Sequence, residues 1–240
     1  MAVIETRDIV KIYDQGNVPV YALTGISLSI EKGEFVAVVG PSGSGKTTLL
    51  NIIGGLDQPT SGQVYVDDTD LSAMRAEELT EFRLRHIGFV FQAYNLVPVL
   101  TARENVEFIM LLQGIAKRER LARASALLDD VGLAGRMNSR PSELSGGQQQ
   151  RVAVARALAS HPTFVLADEP TANLDSVTAE SLMRLMEHLN HEHQMTFLFS
   201  THDTRVIRRA HRIVTLEDGR VASDAQNPEA SRFIRESRQP

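Results

Sequence analysis

The chain reads EFVAVVGPSGSGKTTLL over residues 34–50, and this stretch determines the fold class. Residues 35–39 are apolar and mostly β-branched, too few for a helix and typical of a strand that is buried on both faces. An amphipathic helix is predicted over residues 47–53. The glycines between these two elements let the backbone curl until several N–H groups point into one concavity. The stretch therefore predicts a strand, an anion-binding loop and a helix.

The loop carries a pattern that is specific for phosphate. The N-terminus of the following helix places roughly half a positive charge behind the loop amides. Gly40, Gly45, Lys46 and Thr47 complete the pattern G-x-x-x-x-G-K-[ST], in which the ammonium reaches the β- and γ-phosphates and the hydroxyl ligates Mg²⁺. The alternative is a glycine-rich turn before a helix. The strand-to-helix context favours the phosphate loop.

The composition limits the class of protein. A chain of 240 residues with 42% hydrophobic content can form one α/β domain, with or without a subdomain. Its net charge of −5 and its lack of Trp make nucleic acid a poor candidate partner. The apolar runs are well under the ~18 residues that cross a bilayer, and the first residues do not resemble a signal peptide. We therefore expect a soluble, cytoplasmic protein, and the absence of cysteine excludes disulfides.

Strands and helices are predicted on both sides of the loop. Residues 3–13 and 21–30 alternate apolar and polar side chains around a turn with Gly16, Asn17 and Pro19, which predicts two antiparallel strands. Tyr13 ends the first strand, where its ring could stack on a base or simply cover apolar surface. Further strands are predicted at 62–67, 87–91, 163–167 and 195–200, helices at 77–85, 178–188, within 142–161 and twice within 104–132, and a closing hairpin at 212–216 and 220–222.

Four polar residues stand at the carboxyl ends of predicted buried strands: Gln92, Asp168, Glu169 and His202. In open α/β sheets the ligand crevice lies at these ends. One of the two carboxylates can hold Mg²⁺ through water while the other takes a proton from an attacking water. Gln92 can contact a metal-bound water or cap a turn, and His202 can contact a γ-phosphate or be structural.

A second anion site is predicted at the start of another helix. Ser145, Gly146, Gly147 and Gln148 precede apolar residues at helical spacing, so a Ser-Gly-Gly turn again presents bare amides at a helix N-terminus. The alternative is an ordinary Ser N-cap. That alternative explains Ser145 but leaves two adjacent glycines, each with an entropic cost, without a purpose.

The motifs occur in one order along the chain: GPSGSGKTT (40–48), LSGGQ (144–148), TFVLADEP (163–170), NLD (173–175) and STHD (200–203). With this set the chain resembles the ATP-binding subunits of ABC transporters over nearly its whole length. FVFQAYNLVPVLTARENVE and LADEPTANLD are similar to the branch that serves macrolide exporters, lipoprotein-releasing complexes and the cell-division ABC pair. Ala172 departs from the Gly that is frequent in that branch.

The resemblance implies the fold and its division. It implies an α/β P-loop NTPase core with a mostly parallel sheet, an N-terminal antiparallel β subdomain and a helical subdomain. The whole chain, 1–240, would be one nucleotide-binding domain. The core and the β subdomain would take up 1–91 and 161–225, the helical subdomain with the LSGGQ signature would take up 92–160, and 226–240 would be a loose tail.

The resemblance also implies a role for each motif residue. Tyr13 would stack on adenine, Glu169 would be the catalytic base and His202 the γ-phosphate sensor. Two copies sandwich two ATP molecules in this family, so Asp175 would lie at the shared interface. The phosphates of ATP would be bound by Gly40, Ser42, Gly43, Ser44, Gly45, Lys46, Thr47 and Thr48, Mg²⁺ would be held by Thr47, Gln92 and Asp168, and the partner's nucleotide would be contacted by Ser145, Gly146, Gly147 and Gln148.

The function implied is an ATPase that dimerises on ATP and drives an integral membrane permease, of the export or lipoprotein-extraction type, from the cytoplasmic face of the inner membrane. A periplasmic partner is an option. The alternative is an ATP-dependent clamp or scaffold that controls a cell-envelope or cell-division complex without transport. A soluble ABC ATPase of DNA repair or translation would need a coiled-coil insertion or two cassettes in one chain, and neither is present in this sequence.

One apolar segment follows Gln92. Residues 94–100 carry apolar side chains around Pro98, which argues against a regular strand. A subunit that binds a membrane partner must present an apolar patch, so we hypothesise that a cytoplasmic helix of the permease docks here. The alternative is that these residues pack inward against the helices within 104–132.

Overall fold

The computed structural model describes residues 2–15, 18–228 and 230. Gly16 and Asn17 of the predicted turn, and residues 229 and 231–240 of the predicted tail, lie outside these ranges. The strands are β1 (Ala2–Gln15), β2 (Val18–Glu31), β3 (Phe35–Val39), β4 (Ser61–Val66), β5 (Thr69–Asp70), β6 (Ile87–Val90), β7 (Phe164–Asp168), β8 (Thr196–Ser200), β9 (Arg212–Glu217) and β10 (Arg220–Gln226). The α-helices are α1 (Lys46–Ile53), α2 (Ala76–His86), α3 (Ala102–Leu112), α4 (Lys117–Asp130), α5 (Gly146–Ala159), α6 (Ser176–His193) and α7 (Thr204–Arg209).

The strands form two sheets. The first sheet has the order β2-β1-β4-β5 and is antiparallel. The second has the order β10-β9-β3-β8-β7-β6. Its strands are parallel from β9 to β6, and β10 is an antiparallel edge strand. The predicted α/β fold, with an antiparallel sheet beside a mostly parallel one, is confirmed.

The parallel sheet is covered on both faces, which explains why its strands read as continuous apolar runs. In β3, Val36 and Val38 join a cluster with the antiparallel sheet and α1, whereas Phe35 and Ala37 join a cluster with α5 and α6 on the other face. A third apolar cluster lies among α3, α4 and α5. The division of the chain into a core and a helical subdomain stays a prediction.

The structure differs from the sequence-based prediction mainly at the ends of elements. β1 and β2 are longer than predicted because their pairing continues in regular register past the predicted ends, as Asp14 opposite Pro19 and Gln15 opposite Val18. Helix α7 was not predicted, since its six residues are too few for a periodic pattern. The predicted tail begins too early: Gln226 belongs to β10, and buried Asn227 donates to the carbonyls of Ile207 and Ala210, both at 2.8 Å. In the described residues, no helix is long and apolar enough to cross a membrane.

Candidate active site

The phosphate loop lies between β3 and α1, as predicted, and its glycines are sterically required. Gly40 and Gly45 have φ angles of 148° and 100°, which L side chains rarely adopt. A Cβ on Gly40 would lie 2.1 Å from the carbonyl oxygen of Leu216, and a Cβ on Gly45 would lie 2.6 Å from that of Ala22. Both glycines therefore allow the loop to pack against the neighbouring strands β9 and β2.

The ammonium of Lys46 is held within the loop. Its Nζ donates to the carbonyl oxygens of Gly40 and Pro41, both at 2.9 Å. Lys46 is also the first residue of α1, so the helix N-terminus and the side-chain charge converge on one concavity. This arrangement is suited to a chain of phosphates.

Thr47 and Asp168 approach each other from opposite elements. Thr47 is in the first turn of α1, and Asp168 ends β7. The Thr47 hydroxyl lies 3.3 Å from each carboxylate oxygen of Asp168. Octahedral Mg²⁺ holds its ligands at about 2.0–2.1 Å, so adjacent ligand oxygens lie about 3 Å apart, and it is bound by one or two carboxylates together with phosphates. Among the described residues no cluster of three His, Cys, Asp or Glu could hold a metal, but this oxygen pair fits Mg²⁺.

Glu169 and His202 are paired directly. The Oε1 atom of Glu169 lies 2.7 Å from Nδ1 of His202, and the hydroxyl of Thr201 donates to Oε2 at 3.3 Å. The Glu169 side chain is only 16% exposed, whereas that of His202 is 76% exposed. Glu169 has a φ angle of 45°, a strained backbone conformation of the kind that persists at functional sites. This backbone conformation places the Glu169 carboxylate beside the His202 imidazole, at the carboxyl ends of the parallel strands β7 and β8.

The segment that carries His202 is anchored by its neighbour Asp203. Burial alone would raise the pKa of Asp203, but hydrogen bonds from Arg205 and Thr171 hold that pKa at about 2. The hydroxyl of Thr171 donates to Oδ2 at 2.7 Å, and the backbone N–H of Arg205 donates to Oδ1 at 2.9 Å. The turn after β7 and the turn after β8 are therefore tied together beside Glu169 and His202.

One cleft of about 660 Å³ brings most of the predicted residues together. The volume is in the range of roughly 300–1,000 Å³ that is usual for small-molecule sites. The cleft is lined by the phosphate-loop residues Gly40, Ser42, Gly43, Gly45, Lys46, Thr47 and Thr48, together with Gln92, Glu169 and His202. Ser44 is buried, and Asp168 contacts the cleft through Thr47. Val20, Tyr21 and Ala22 of β2 also line the cleft, and no motif in the sequence indicated them.

Tyr13 lies beside this cleft without lining it. Its hydroxyl donates to Oδ2 of Asp57 at 2.7 Å. Burial, and then the hydrogen bond to Asp57, raise the pKa of Tyr13, while a hydrogen bond with Thr48 of the phosphate loop partly opposes them. Val20, the residue directly opposite Tyr13 in the β1–β2 ladder, does line the cleft. Stacking of Tyr13 on adenine stays a prediction.

The LSGGQ segment is absent from the described lining of this cleft. Ser145 is an N-cap of α5: its hydroxyl accepts from the N–H of Gln148 at 3.3 Å, and the Gln148 side chain accepts from the N–H of Ser145 at 3.0 Å. The glycines also have a packing purpose that sequence analysis missed. A Cβ on Gly147 would lie 2.0 Å from Cγ2 of Thr178, and one on Gly146 would lie 2.8 Å from the hydroxyl of Tyr94.

Asp175 caps the next helix. Its Oδ1 accepts from the N–H groups of Val177 and Thr178, both at 3.0 Å, and its Oδ2 accepts from the Thr178 hydroxyl at 2.6 Å. These hydrogen bonds lower the pKa of Asp175. Because Thr178 also packs against Gly147, the cap fixes the contact between α6 and the start of α5. A role for Asp175 at an interface stays a prediction.

A phosphate loop between a buried strand and a helix, with two carboxylates at the end of a parallel strand, defines a P-loop nucleotide hydrolase. Comparison with known proteins narrows this class. The family model described as ABC transporter matches residues 23–172, more than half of the chain. The chain belongs to the ABC transporter family and is an ATP-binding ATPase of that family.

The relatives confirm the predicted branch. An uncharacterized ABC transporter ATP-binding protein of Thermotoga maritima is 51% identical over 219 residues, 91% of this chain and 93% of the relative. The macrolide export ATP-binding/permease protein MacB of Rhodopirellula baltica is 47% identical over 218 residues, 90% of this chain but 32% of its own length. The dimeric ATP-binding cassette MJ0796, bound to ADP and Pi, matches with a TM-score of 0.86 and 46% identity over 93% of this chain and 98% of that one.

Proposed function

We propose that two copies of this chain bind two ATP molecules between them and drive an integral membrane permease of the export or lipoprotein-extraction type. The chain would then be peripheral, on the cytoplasmic face of the inner membrane. The observation that supports the sandwich most directly is the separation of two anion-binding motifs. The phosphate loop shares a cleft with Gln92, Glu169 and His202, whereas LSGGQ lies outside that cleft. A second copy would supply its LSGGQ to complete the site.

Each residue in the cleft has a definite task in this proposal. Lys46 and the loop amides bind the β- and γ-phosphates of ATP. Glu169 accepts the proton of the attacking water, and His202, hydrogen-bonded to it, faces the γ-phosphate. Thr47, Asp168 and Gln92 would hold Mg²⁺, which would neutralise charge on the phosphates.

The sandwich can be tested at Ser145. We expect Ser145→Arg to bind ATP as a single chain yet to lose turnover, because the bulky side chain obstructs the surface offered to a partner in addition to removing the N-cap of α5. The matched control is Ser145→Ala, which removes the N-cap at a cost of about 1 kcal/mol without adding bulk. Thermal unfolding and ATP hydrolysis of both variants separate the loss of the hydroxyl, which both share, from the added bulk, which only Ser145→Arg has.

Mixing the Ser145→Arg chain with a Lys46→Ala chain tests whether the phosphate loop of one copy works with the LSGGQ of the other. A Ser145→Arg chain keeps its phosphate loop, and a Lys46→Ala chain keeps its LSGGQ, so one intact composite site forms per mixed dimer. Differently tagged chains should therefore co-purify in the presence of ATP. The absence of any mixed dimer under ATP would count against the sandwich.

The side chains of residues 94–100 differ in burial, and this determines where the docking hypothesis can be tested. Leu96 is partly buried and packs against the cluster of α3, α4 and α5, so the inward-packing alternative is right for this side chain. Val99 is 74% exposed. Docking of a permease helix at this segment is therefore best examined at Val99.

We expect Val99→Glu to leave the unfolding temperature and the basal ATPase of the isolated subunit near normal, because the carboxylate remains in solvent. Co-purification with the native membrane complex should be lost, since a charge in an apolar contact is costly. Leu96→Glu is the control for a core defect and should be destabilised. Normal recovery of the membrane complex with Val99→Glu would exclude docking at this residue.

A further inference from the structure

The carboxylate of Asp57 holds two side chains of β1 at once. Its Oδ1 accepts from Nζ of Lys11 at 2.6 Å, and its Oδ2 accepts from the hydroxyl of Tyr13 at 2.7 Å. The Lys11 ammonium also lies 4.7 Å from the centroid of the Tyr13 ring. Lys11 and Asp57 are 13% and 28% exposed, so this is a partly buried pair. The three side chains form one group beside the nucleotide cleft.

Asp57 is itself fixed to the helix that follows the phosphate loop. Its backbone N–H donates to the carbonyl oxygen of Asn51 in α1 at 3.2 Å, and its Oδ1 accepts from the N–H of Gln58 at 2.8 Å. Lys11 adds a second bond to this turn, from Nζ to the carbonyl oxygen of Gln58 at 2.8 Å. The end of β1 is thus joined to the end of α1, whose first turn binds phosphate.

The charges keep the carboxylate able to accept both bonds. Burial would raise the pKa of Asp57, but the hydrogen bonds from Lys11 and Tyr13 more than offset burial and lower that pKa. An ionised acceptor makes the stronger kind of hydrogen bond to the Tyr13 hydroxyl. The hydrogen bond therefore joins the Tyr13 ring to the turn that follows α1.

We infer that Asp57, supported by Lys11, is a positioning residue for the base of the bound nucleotide and acts through the Tyr13 hydroxyl. The inference rests on the proposed stacking of Tyr13 on adenine. If the Lys11–Asp57 ion pair served only the fold, it would not need the Tyr13 hydroxyl. Replacing Tyr13 by Phe removes that hydroxyl and keeps the ring. The contact predicts that Asp57 affects binding of the base and leaves binding of the phosphates alone.

The test compares ADP, which is not hydrolysed, with inorganic pyrophosphate, which has the phosphates without the base. Isothermal titration of both ligands, with Mg²⁺, is made on wild type, Tyr13→Phe, Asp57→Ala and the double variant. We expect each single variant to bind ADP about 3- to 10-fold more weakly, as the loss of one hydrogen bond predicts. Pyrophosphate affinity should stay within about twofold, and the double variant should be no weaker for ADP than the weaker single variant.

Three results would overturn the inference: unchanged ADP affinity in Asp57→Ala, an equal loss for ADP and pyrophosphate, or losses that multiply in the double variant. The comparison of the double variant with the single variants uses ADP alone. It therefore tests whether Asp57 acts through the Tyr13 hydroxyl even if pyrophosphate binds too weakly to measure. Two further variants isolate the proposed function. Lys46→Ala should lose both ligands, and Tyr13→Ala should bind ADP at least about 10-fold more weakly, as the loss of base stacking predicts. If these two behave as expected and Asp57→Ala does not, only the inference about Asp57 fails.

Discussion

Lys46→Ala is expected to abolish ATP binding, with a loss of affinity of about 10²-fold or more. The ammonium is the one cationic side chain in the loop sequence 40–48, and each hydrogen bond from a charged donor contributes about 1.5–3 kcal/mol. In the structure the same ammonium donates to the carbonyls of Gly40 and Pro41. These two residues are partly or fully exposed, so water can replace the ammonium as the hydrogen-bond donor. The fold should therefore remain stable.

Equilibrium binding of labelled ATP measures this effect, and thermal unfolding is the control for folding. Lys46→Arg is a useful second variant because it keeps the positive charge but replaces a compact ammonium by a planar guanidinium. An intermediate loss of affinity is expected there. Wild-type affinity in Lys46→Ala would refute the assignment of residues 40–48 as the phosphate site.

Glu169→Gln is expected to bind ATP normally and to hydrolyse it about 10²–10⁴-fold more slowly, the usual size of a general-base contribution. Glutamine has nearly the same shape as glutamate and can still accept from Thr201 and pair with His202, so the local structure should persist. What it loses is the basicity of the carboxylate. Steady-state release of phosphate under saturating ATP measures the change.

Glu81→Gln is the matched control, because it removes an exposed carboxylate of α2 that forms an ion pair with Arg85 on the same helix. Its rate should stay close to wild type. A decrease of less than threefold in Glu169→Gln would show that Glu169 is not the base.

The sequence predicted where the main parts of the candidate site lie in the fold, because these parts are local; their catalytic roles stay predictions. β3, the loop and α1 are consecutive, and the strand-to-helix pattern specifies their geometry within 20 residues or so. The carboxylates Asp168 and Glu169 were predicted from one short apolar strand, since the carboxyl end of a parallel strand faces the crevice. The direct pairing of Glu169 with His202 joins residues 33 positions apart, and no local pattern reveals it.

The errors arose where tertiary packing determines the role of a residue. The sequence offered no reason for the two glycines of LSGGQ other than anion binding. The structure shows a second reason, because Gly147 of α5 leaves room for Thr178 of α6. Leu96 belongs to the apolar segment 94–100 for which docking is predicted, and the structure packs it against a core cluster instead. β1 and β2 extend further than the side-chain pattern indicated, because backbone pairing between the two strands continues to Gln15 opposite Val18.

The central claim is that ATP holds two copies of this chain together. It is tested most directly by the mass of the Glu169→Gln variant in solution, because this variant keeps ATP bound. Analytical ultracentrifugation with Mg²⁺ and ATP should give twice the 26.5 kDa of the single chain, and with ADP it should give the single chain. A variant that binds ATP at saturation and still sediments as a single chain at every protein concentration would contradict the account.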